Sequence, residues 1–203
     1  MSTSDPFAQD GPHGRHAEID AAARTIAFSF GLSGITLRRL ASTAGLSPGD
    51  IAAHEPSMTA LVARTFEELA GIELNEARRD IAGFDSALEA LRLLVGSLLE
   101  DTHGNFNSVW ADAWSMGRHN VALARAARDN MTAWHELICS VVRRGMEGRE
   151  FEGSDSDLVA LQFLALIDSI TAYSLVDYRT PAERSHLMRR TLEVSLGLAA
   201  GSL

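Results

Sequence analysis

Apolar residues along this chain recur three and four positions apart from Ile19 to the last residues, and no segment alternates apolar and polar residues over several positions. The first spacing marks one face of a helix, whereas alternation would indicate a half-buried strand. The sequence therefore predicts an all-α protein. We expect nine helices, at about residues 15–30, 36–44, 48–54, 57–82, 85–103, 105–117, 120–148, 155–178 and 182–200.

The segment from Gly45 to Gly49, GLSPG, has two incompatible interpretations. It matches G-x-S-x-G, a motif that places a nucleophilic serine on a sharp turn between a strand and a helix. That turn requires a strand before Gly45, but the preceding RRLASTA has the composition of a helix. A serine hydrolase is therefore only a remote alternative. We expect a protein that is not an enzyme and assign no catalytic residues.

The same segment fits the turn of a helix-turn-helix. Ala41 supplies the small residue needed where two helices cross, and Gly45 supplies the left-handed backbone of a tight turn. Thr36 is placed to cap the second helix and Ser47 the third, with Pro48 at the first helical position. The apolar residues that would close a small core between the helices are Leu40, Ala44, Leu46 and Ile51. A plain helical hairpin without a ligand is the alternative.

The charge of the chain limits how it can bind nucleic acid. The formal net charge of the 203 residues is −9, and all 18 basic residues are arginines. A chain this acidic does not attract DNA through its overall field. Any DNA contact must therefore come from a local patch.

The candidate chemistry and the termini exclude several classes. Cys139 is the only cysteine, and the seven histidines have no metal-binding spacing, so we expect no metal and no cofactor. The first 13 residues have the composition of a flexible arm and lack the apolar core of a signal peptide. We find no run of 18 apolar residues and therefore expect a cytoplasmic protein with no membrane partner.

Residues 19–61, IDAAARTIAFSFGLSGITLRRLASTAGLSPGDIAAHEPSMTAL, resemble the N-terminal DNA-binding domain of TetR-family transcriptional regulators. The most specific matches are the Ala-Ala pair, ITLRRLASTAGLSPG and HEPS. Two later segments, WADAWSMGRHNVALARAARDNMTAWHELICSVVRRGMEGREF and LALIDSITAYSL, resemble the effector and dimerisation helices of the BetI-like branch. The resemblance implies an arm at 1–13, a helix-turn-helix domain at 14–60 and a ligand-binding and dimerisation domain at 61–203.

The chain departs from the family pattern in and after the third helix. The family usually carries a leucine-tyrosine pair, a histidine-phenylalanine pair and a later lysine in this region. Here Ala52 replaces the tyrosine, Glu55 the phenylalanine and Met58 the lysine. The tyrosine and lysine typically hold DNA phosphates, and the phenylalanine belongs to the core. A TetR-like ligand-binding or interaction protein with degenerate DNA binding is therefore an alternative function.

Nine residues are candidates for DNA contact, given the resemblance. Helix starts offer N–H donors and hydroxyl groups to phosphates, arginines on the second helix add charge, and Gly49 permits close approach to a base edge. Asp50 can accept from a cytosine amino group, but capping its own helix is the favoured role. The candidates are Thr36, Arg38, Arg39, Ser47, Pro48, Gly49, Asp50, Ala53 and His54.

Aromatic residues in the middle of the chain indicate an effector site. Phe106, Trp110 and Trp114 recur every four residues, which places them on one face of a helix. Such a stripe also occurs in plain cores, but nearby polar residues and the family's use of this region favour a ligand. Asp168 is an acid in an apolar helix and needs a partner, which can be a ligand, a neighbouring arginine or the twin subunit. The candidates are Phe106, Trp110, Trp114, Asn130, Met131, Trp134 and Asp168.

The last two predicted helices each carry an apolar stripe that a monomer would leave partly exposed, which predicts a homodimer. We therefore expect a homodimeric transcriptional regulator acting as a repressor. It would bind a double-stranded DNA operator and leave it when a small apolar or aromatic effector binds.

Overall fold

The computed structural model describes residues 12–99, 104–153 and 155–203. This part of the chain contains α-helices, one short 3-10 helix at Leu32–Gly34 and no strand. The helices are α1 (Pro12–Phe30), α2 (Leu37–Ala44), α3 (Pro48–His54), α4 (Met58–Ile81), α5 (Ala87–Leu99), α6 (Gly104–Gly117), α7 (Val121–Glu147), α8 (Ser156–Leu175) and α9 (Pro181–Ser195). The predicted all-α fold and its nine helices are confirmed.

The first of two compact units comprises the described residues up to Leu69 together with Asp112–Ala127. Its core is formed by the buried faces of α1 to α4, including Ile19, Ile26, Leu40, Ile51, Leu61 and Phe66. Two hydrogen bonds tie the later segment to the earlier one. The Ser33 N–H donates to Asp112 Oδ2 at 2.8 Å, and Asn120 Nδ2 donates to the Thr59 carbonyl at 2.8 Å. The unit therefore extends beyond the predicted helix-turn-helix domain at 14–60.

The second unit comprises Ala70–Ala111 and Arg128–Leu203. Its core combines side chains from α4 to α9, including Leu91, Leu94, Val142, Phe163, Met188 and Leu192. Glu150 fixes the start of α5, because its carboxylate accepts from the Ala87 N–H at 2.9 Å and from Ser86 Oγ at 2.6 Å. These hydrogen bonds, led by the one from Ser86, lower the pKa of Glu150.

Several helix ends differ from the sequence prediction. Helix α1 begins at Pro12, and residues 1–11 of the predicted arm lie outside the described residues, as do 100–103 of the predicted fifth helix. Helix α9 ends at Ser195 rather than near residue 200. The helix ends before Gly197, whose φ of +66° is left-handed, and the Leu198 N–H donates to the Glu193 carbonyl at 2.8 Å. The carboxylate of Glu193 then accepts from the N–H groups of Gly201 and Leu203, at 2.8 and 3.1 Å, which holds the folded-back C-terminal residues.

Helix α8 contains no run of 18 apolar residues, as the sequence shows, but its mean hydropathy is high. By length and composition alone, this is the one helix in the described part of the chain that could cross a bilayer. Its polar residues, such as Gln162 and Asp168, interrupt every long apolar run but hardly lower the mean hydropathy over 18 residues. Most of this helix is not buried within the chain, so much of its apolar surface is exposed in the single subunit.

Candidate functional site

The turn between α2 and α3 has the predicted helix-turn-helix chemistry. Thr36 caps α2, its hydroxyl accepting from the Arg39 N–H at 3.3 Å. Gly45 follows α2 with φ +68°, and its N–H donates to the Ala41 carbonyl. An L-residue with a side chain is strained in this left-handed conformation, so the turn requires glycine. The predicted cap and turn are confirmed.

The start of α3 is closed by a reciprocal pair of hydrogen bonds. Ser47 Oγ accepts from the Asp50 N–H at 3.1 Å, while Asp50 Oδ2 accepts from the Ser47 N–H at 3.2 Å and from its hydroxyl at 2.6 Å. Pro48 occupies the first turn, where its missing N–H costs nothing. The hydrogen bonds from Ser47 lower the pKa of Asp50 and keep it ionised as a cap. The capping role predicted for Asp50 is confirmed.

The outer surface of α3 is open. Pro48, Gly49 and Ala53 are exposed, and His54 is partly buried, with its Nδ1 2.9 Å from the Asp50 carbonyl oxygen. A Cβ added at Gly49 would meet only Ser47 Oγ, at 3.7 Å. The fold of the first unit therefore does not itself require glycine at this position.

The two arginines of α2 differ in their surroundings. The guanidinium of Arg39 lies 4.4 Å from the centre of the Phe30 ring, and its Nη1 donates to the Gly34 carbonyl at 2.8 Å. Arg38 is exposed and makes no hydrogen bond or ion pair with any residue that the structure describes. Arg38 therefore offers the full charge of its side chain to a ligand, whereas Arg39 is partly engaged.

Glu55, the acid that replaces a core aromatic residue of the family, is buried and paired. Arg64 Nη2 donates to Glu55 Oε2 at 2.7 Å and to Asp20 Oδ1 at 2.8 Å. Burial lowers the pKa of Arg64, but these two hydrogen bonds raise it by more, so the guanidinium stays charged. The ion pair fills the position with satisfied polar groups and keeps the Glu55 charge away from the α3 surface.

The candidate effector residues are distributed over both units. Trp110 and Trp134 pack against one core cluster of the second unit, and Asn130 is buried there as well. Phe106 and Met131 are half-buried, and Trp114 belongs to the first unit. Asp168 lies on α8, where burial raises its pKa to about 6. Of the seven candidates, the structure thus brings Trp110 and Trp134 to a common core.

A buried acid contacts Trp110. Glu73 of α4 is 7% exposed, and its Oε2 accepts from Trp110 Nε1 at 3.0 Å. Burial raises the pKa of Glu73 to about 7, although the hydrogen bond from Trp110 acts in the opposite direction. A carboxyl group whose pKa is strongly shifted by burial is a candidate functional group.

A separate cavity of about 680 Å³ lies in the second unit. It is lined by Leu98, Leu99, Asn107, Ile170, Ser174, Leu175, Asp177, Arg179, Thr180, Pro181, Glu183 and Arg184. In its wall, Asn107 donates to Ser174 Oγ at 3.1 Å and accepts from Thr171 Oγ1 at 3.2 Å. The described lining residues include none of the seven predicted effector residues.

Comparison with known families gives one match. Residues 87–197, more than half of the chain, match the family model described as BetI-type transcriptional repressor, C-terminal. The chain belongs to the TetR family of transcriptional regulators. The predicted resemblance and its BetI-like branch are thereby confirmed. A comparison with curated proteins finds no significant match.

Solved structures of TetR regulators share this fold at low sequence identity. A regulator from Saccharomonospora viridis in complex with choline has a TM-score of 0.81 at 20% identity, with 92% of this chain and 98% of that chain covered. A TetR regulator from Haloarcula marismortui has a TM-score of 0.78 at 18% identity, with 91% and 99% covered. The regulator FadR from Bacillus subtilis in complex with stearoyl-CoA has a TM-score of 0.67 at 18% identity, with 89% and 97% covered.

Glu73 of this TetR chain is a functional candidate that was not predicted from the sequence. The residue lies four positions after Leu69 and seven after Phe66, on the buried stripe of α4. An acid at a helical core position must find a partner, which is the argument that singled out Asp168. Applied to α4, the same argument would have found Glu73, although not its tryptophan partner.

Proposed function

We propose that this TetR-family chain is a homodimeric repressor that binds a double-stranded DNA operator through α2 and α3 and leaves it when a small effector binds. The observation that carries the proposal is the open α3 surface at Gly49, held by a glycine turn and two capped helix starts. We also propose that the protein acts in the cytoplasm.

The surroundings of the two acids favour DNA binding over the degenerate alternative. An acid that faced DNA would repel its phosphates. Glu55 is buried and paired with Arg64, and Asp50 is held by its own helix cap. The replacement Glu55 therefore keeps its charge off the contacting surface, and the exposed, ionised Asp50 directs its carboxylate to the N–H and hydroxyl groups of Ser47.

Few cations are available to contact phosphates. Among the candidates, Arg38 is unpaired within the described residues. The guanidinium of Arg39 stacks on the Phe30 ring and donates to the Gly34 carbonyl. Each neutralised phosphate contributes about −0.9 to the slope of log K against log salt. We therefore expect the affinity for DNA to depend only weakly on salt for a dimer of this family.

The exposed apolar residues of α8 and α9 support a homodimer. Leu161, 56% exposed, and Val194, 71% exposed, represent a wider set on these two helices. A second copy that covers this surface would remove it from water. Such a dimer would present two α3 helices to half-sites about 34–36 Å apart, one turn of DNA.

The effector site that we propose lies beside Trp110 and Trp134, with Phe106, Asn130 and Met131 as further members. An apolar or aromatic effector would pack against the indole rings, and the Glu73 carboxyl would orient a polar or cationic end. The choline and stearoyl-CoA bound by two relatives show that proteins of this fold bind chemically different ligands.

Tryptophan emission tests the effector site. A compound that packs on Trp110 is expected to change the emission of the wild type, and the Trp110→Phe variant should lose that part of the response. Reciprocal titrations then test the switch, because an effector that weakens operator binding must itself be bound more weakly, by the same factor, in the presence of operator. An emission change without any change in operator affinity would refute the switch.

Selection of bound duplexes from a random DNA pool tests operator binding. The proposal predicts enrichment of a palindrome whose half-sites are one helical turn apart. The Gly49→Glu variant places an acid on the open α3 surface and should enrich nothing. The matched control is Gly83→Glu, since Gly83 also has open space around it but lies outside α2 and α3. A pool without enrichment by the wild type would favour degenerate DNA binding.

A further inference from the structure

The outward face of α8 contains Asp168, an acid that has no partner among the residues described by the structure. We propose that Asp168 of one subunit pairs with Arg190 of the partner subunit, and that this pair makes α8 of each subunit face α9 of the other. The inference rests on the homodimer of the proposed function and adds the contact that determines how its helices are matched.

Asp168 lies in the middle of an apolar stripe. It follows Leu161 by seven residues and precedes Leu175 by seven, so the three side chains share one face of α8. Leu161 is 56% and Leu175 43% exposed. Asp168 makes no hydrogen bond or ion pair with any residue in the described part of the chain. A second copy seated on this face would bury its carboxylate, which then needs a cation or a donor.

Arg190 occupies the corresponding place on α9. It follows Leu187 by three residues and precedes Val194 by four, and the side chains of both residues are exposed. Arg190 Nη1 donates to Glu193 Oε2 at 2.6 Å, which holds the guanidinium in one orientation. Glu193 is buried and also accepts from the Gly201 and Leu203 N–H groups. Arginine has five N–H donors, so Arg190 retains donors for a second carboxylate.

The charges of the two helices are complementary. Helix α8 carries Asp157 and Asp168 and no basic residue, whereas α9 carries three arginines. Both acids of α9 are engaged within the chain, Glu183 at the helix start and Glu193 with Arg190. In a twofold dimer with α8 against its own copy, Asp168 would approach the partner's Asp168. Placing α8 against the partner's α9 replaces that repulsion with an ion pair.

The interface pair would act mainly on the arrangement of the helices. Apolar stripes alone allow several registers of the helices, because leucine and valine contacts are not directional. A buried polar group that is satisfied in one arrangement penalises the others. The pair occurs twice in a symmetric dimer, so its effect on the dimer is doubled.

Sedimentation equilibrium of the full chain tests the pair through Asp168→Asn, Arg190→Gln and the double variant. Each single variant should raise the dimer dissociation constant at least about a hundredfold, because it removes a charge-assisted hydrogen bond, worth about tenfold or more, at two places in the dimer. The double variant should be no weaker than the weaker single variant, because both changes remove the same contact. Circular dichroism of each variant monitors folding, since Arg190→Gln also leaves Glu193 without its arginine.

The control variant is Arg189→Gln. Arg189 lies beside Arg190 on another face of α9, and its Nε donates to Ser185 Oγ at 3.1 Å within its own chain. This variant should leave the dissociation constant unchanged. A tighter dimer in Asp168→Asn would overturn the inference and indicate α8 against α8, with the two carboxylates repelling each other. An unchanged dimer in Asp168→Asn would overturn it as well. A wild type that stays monomeric would instead refute the proposed homodimer itself.

Discussion

Replacing Glu73 with glutamine should make the protein more stable, and the gain should depend on pH. Glutamine keeps an oxygen that can accept from Trp110 Nε1, and it has nearly the shape of the protonated acid. It removes the charge that burial disfavours at this position. The variant therefore separates the cost of the buried charge from the packing of the side chain.

The magnitude follows from the pKa of Glu73. Burial raises this pKa from 4.5 to about 7, so the folded state binds the proton more tightly than the unfolded state. The associated stability is fully present below the unfolded value of 4.5 and is lost as the pH rises through about 7. At about 1.4 kcal/mol per pKa unit, the loss amounts to roughly 3 kcal/mol above pH 8. Glu73→Gln should avoid this loss.

Urea unfolding at a series of pH values, followed by tryptophan emission, measures the effect. The difference in the free energy of unfolding between Glu73→Gln and wild type should be small at pH 5 and should grow to roughly 3 kcal/mol at pH 8. Glu67→Gln is the control, because Glu67 is an exposed acid on the same helix and is not among the groups that shift the pKa of Glu73. A difference that does not vary with pH, or one that shrinks as pH rises, would refute the burial argument.

Three further changes test other parts of the structure. Arg64→Ala leaves the buried Glu55 unpaired and should lower the free energy of unfolding, measured by chemical denaturation, by about 1–2 kcal/mol. This loss is smaller than for a fully buried ion pair because Arg64 is itself partly exposed. Gly145→Ala should destabilise by at least about 1 kcal/mol in the same assay, because a Cβ there would overlap the Phe151 ring. Arg38→Ala should weaken DNA binding equally across sequences and reduce the salt slope of the dimer by about 2 in anisotropy titrations, because each subunit loses one phosphate contact worth about 0.9.

Local chemistry made the helix-turn-helix predictable from the sequence. The caps at Thr36 and Ser47 and the left-handed Gly45 depend on residues within four positions of one another, and their geometry agrees with the prediction. The positions of the nine helices follow from apolar spacing in the same way. Which residues on this surface contact DNA stays a prediction, since contact is a property of the complex.

Features that depend on distant residues were not predictable. The hydrogen bonds from the Gly201 and Leu203 N–H groups to the Glu193 carboxylate join residues eight and ten positions apart, and no pattern within α9 indicates them. The end of the helix itself has a local signal, the left-handed Gly197, which the predicted boundary near residue 200 overlooked. Glu55, directly after α3, pairs with Arg64 of α4, so an acid at a position where the family has a core aromatic residue is compensated by an ion pair. The partner of Glu73 likewise comes from another helix.

The most direct test of the account measures the binding of wild type, Gly49→Glu and Gly83→Glu to one palindrome selected from the random pool. Fluorescence anisotropy gives the affinity, and titration at high DNA concentration gives the stoichiometry. The account predicts two chains per palindrome, wild-type affinity for Gly83→Glu and loss of specific binding for Gly49→Glu. Equal affinity of all three proteins would contradict it, because another surface would then contact DNA.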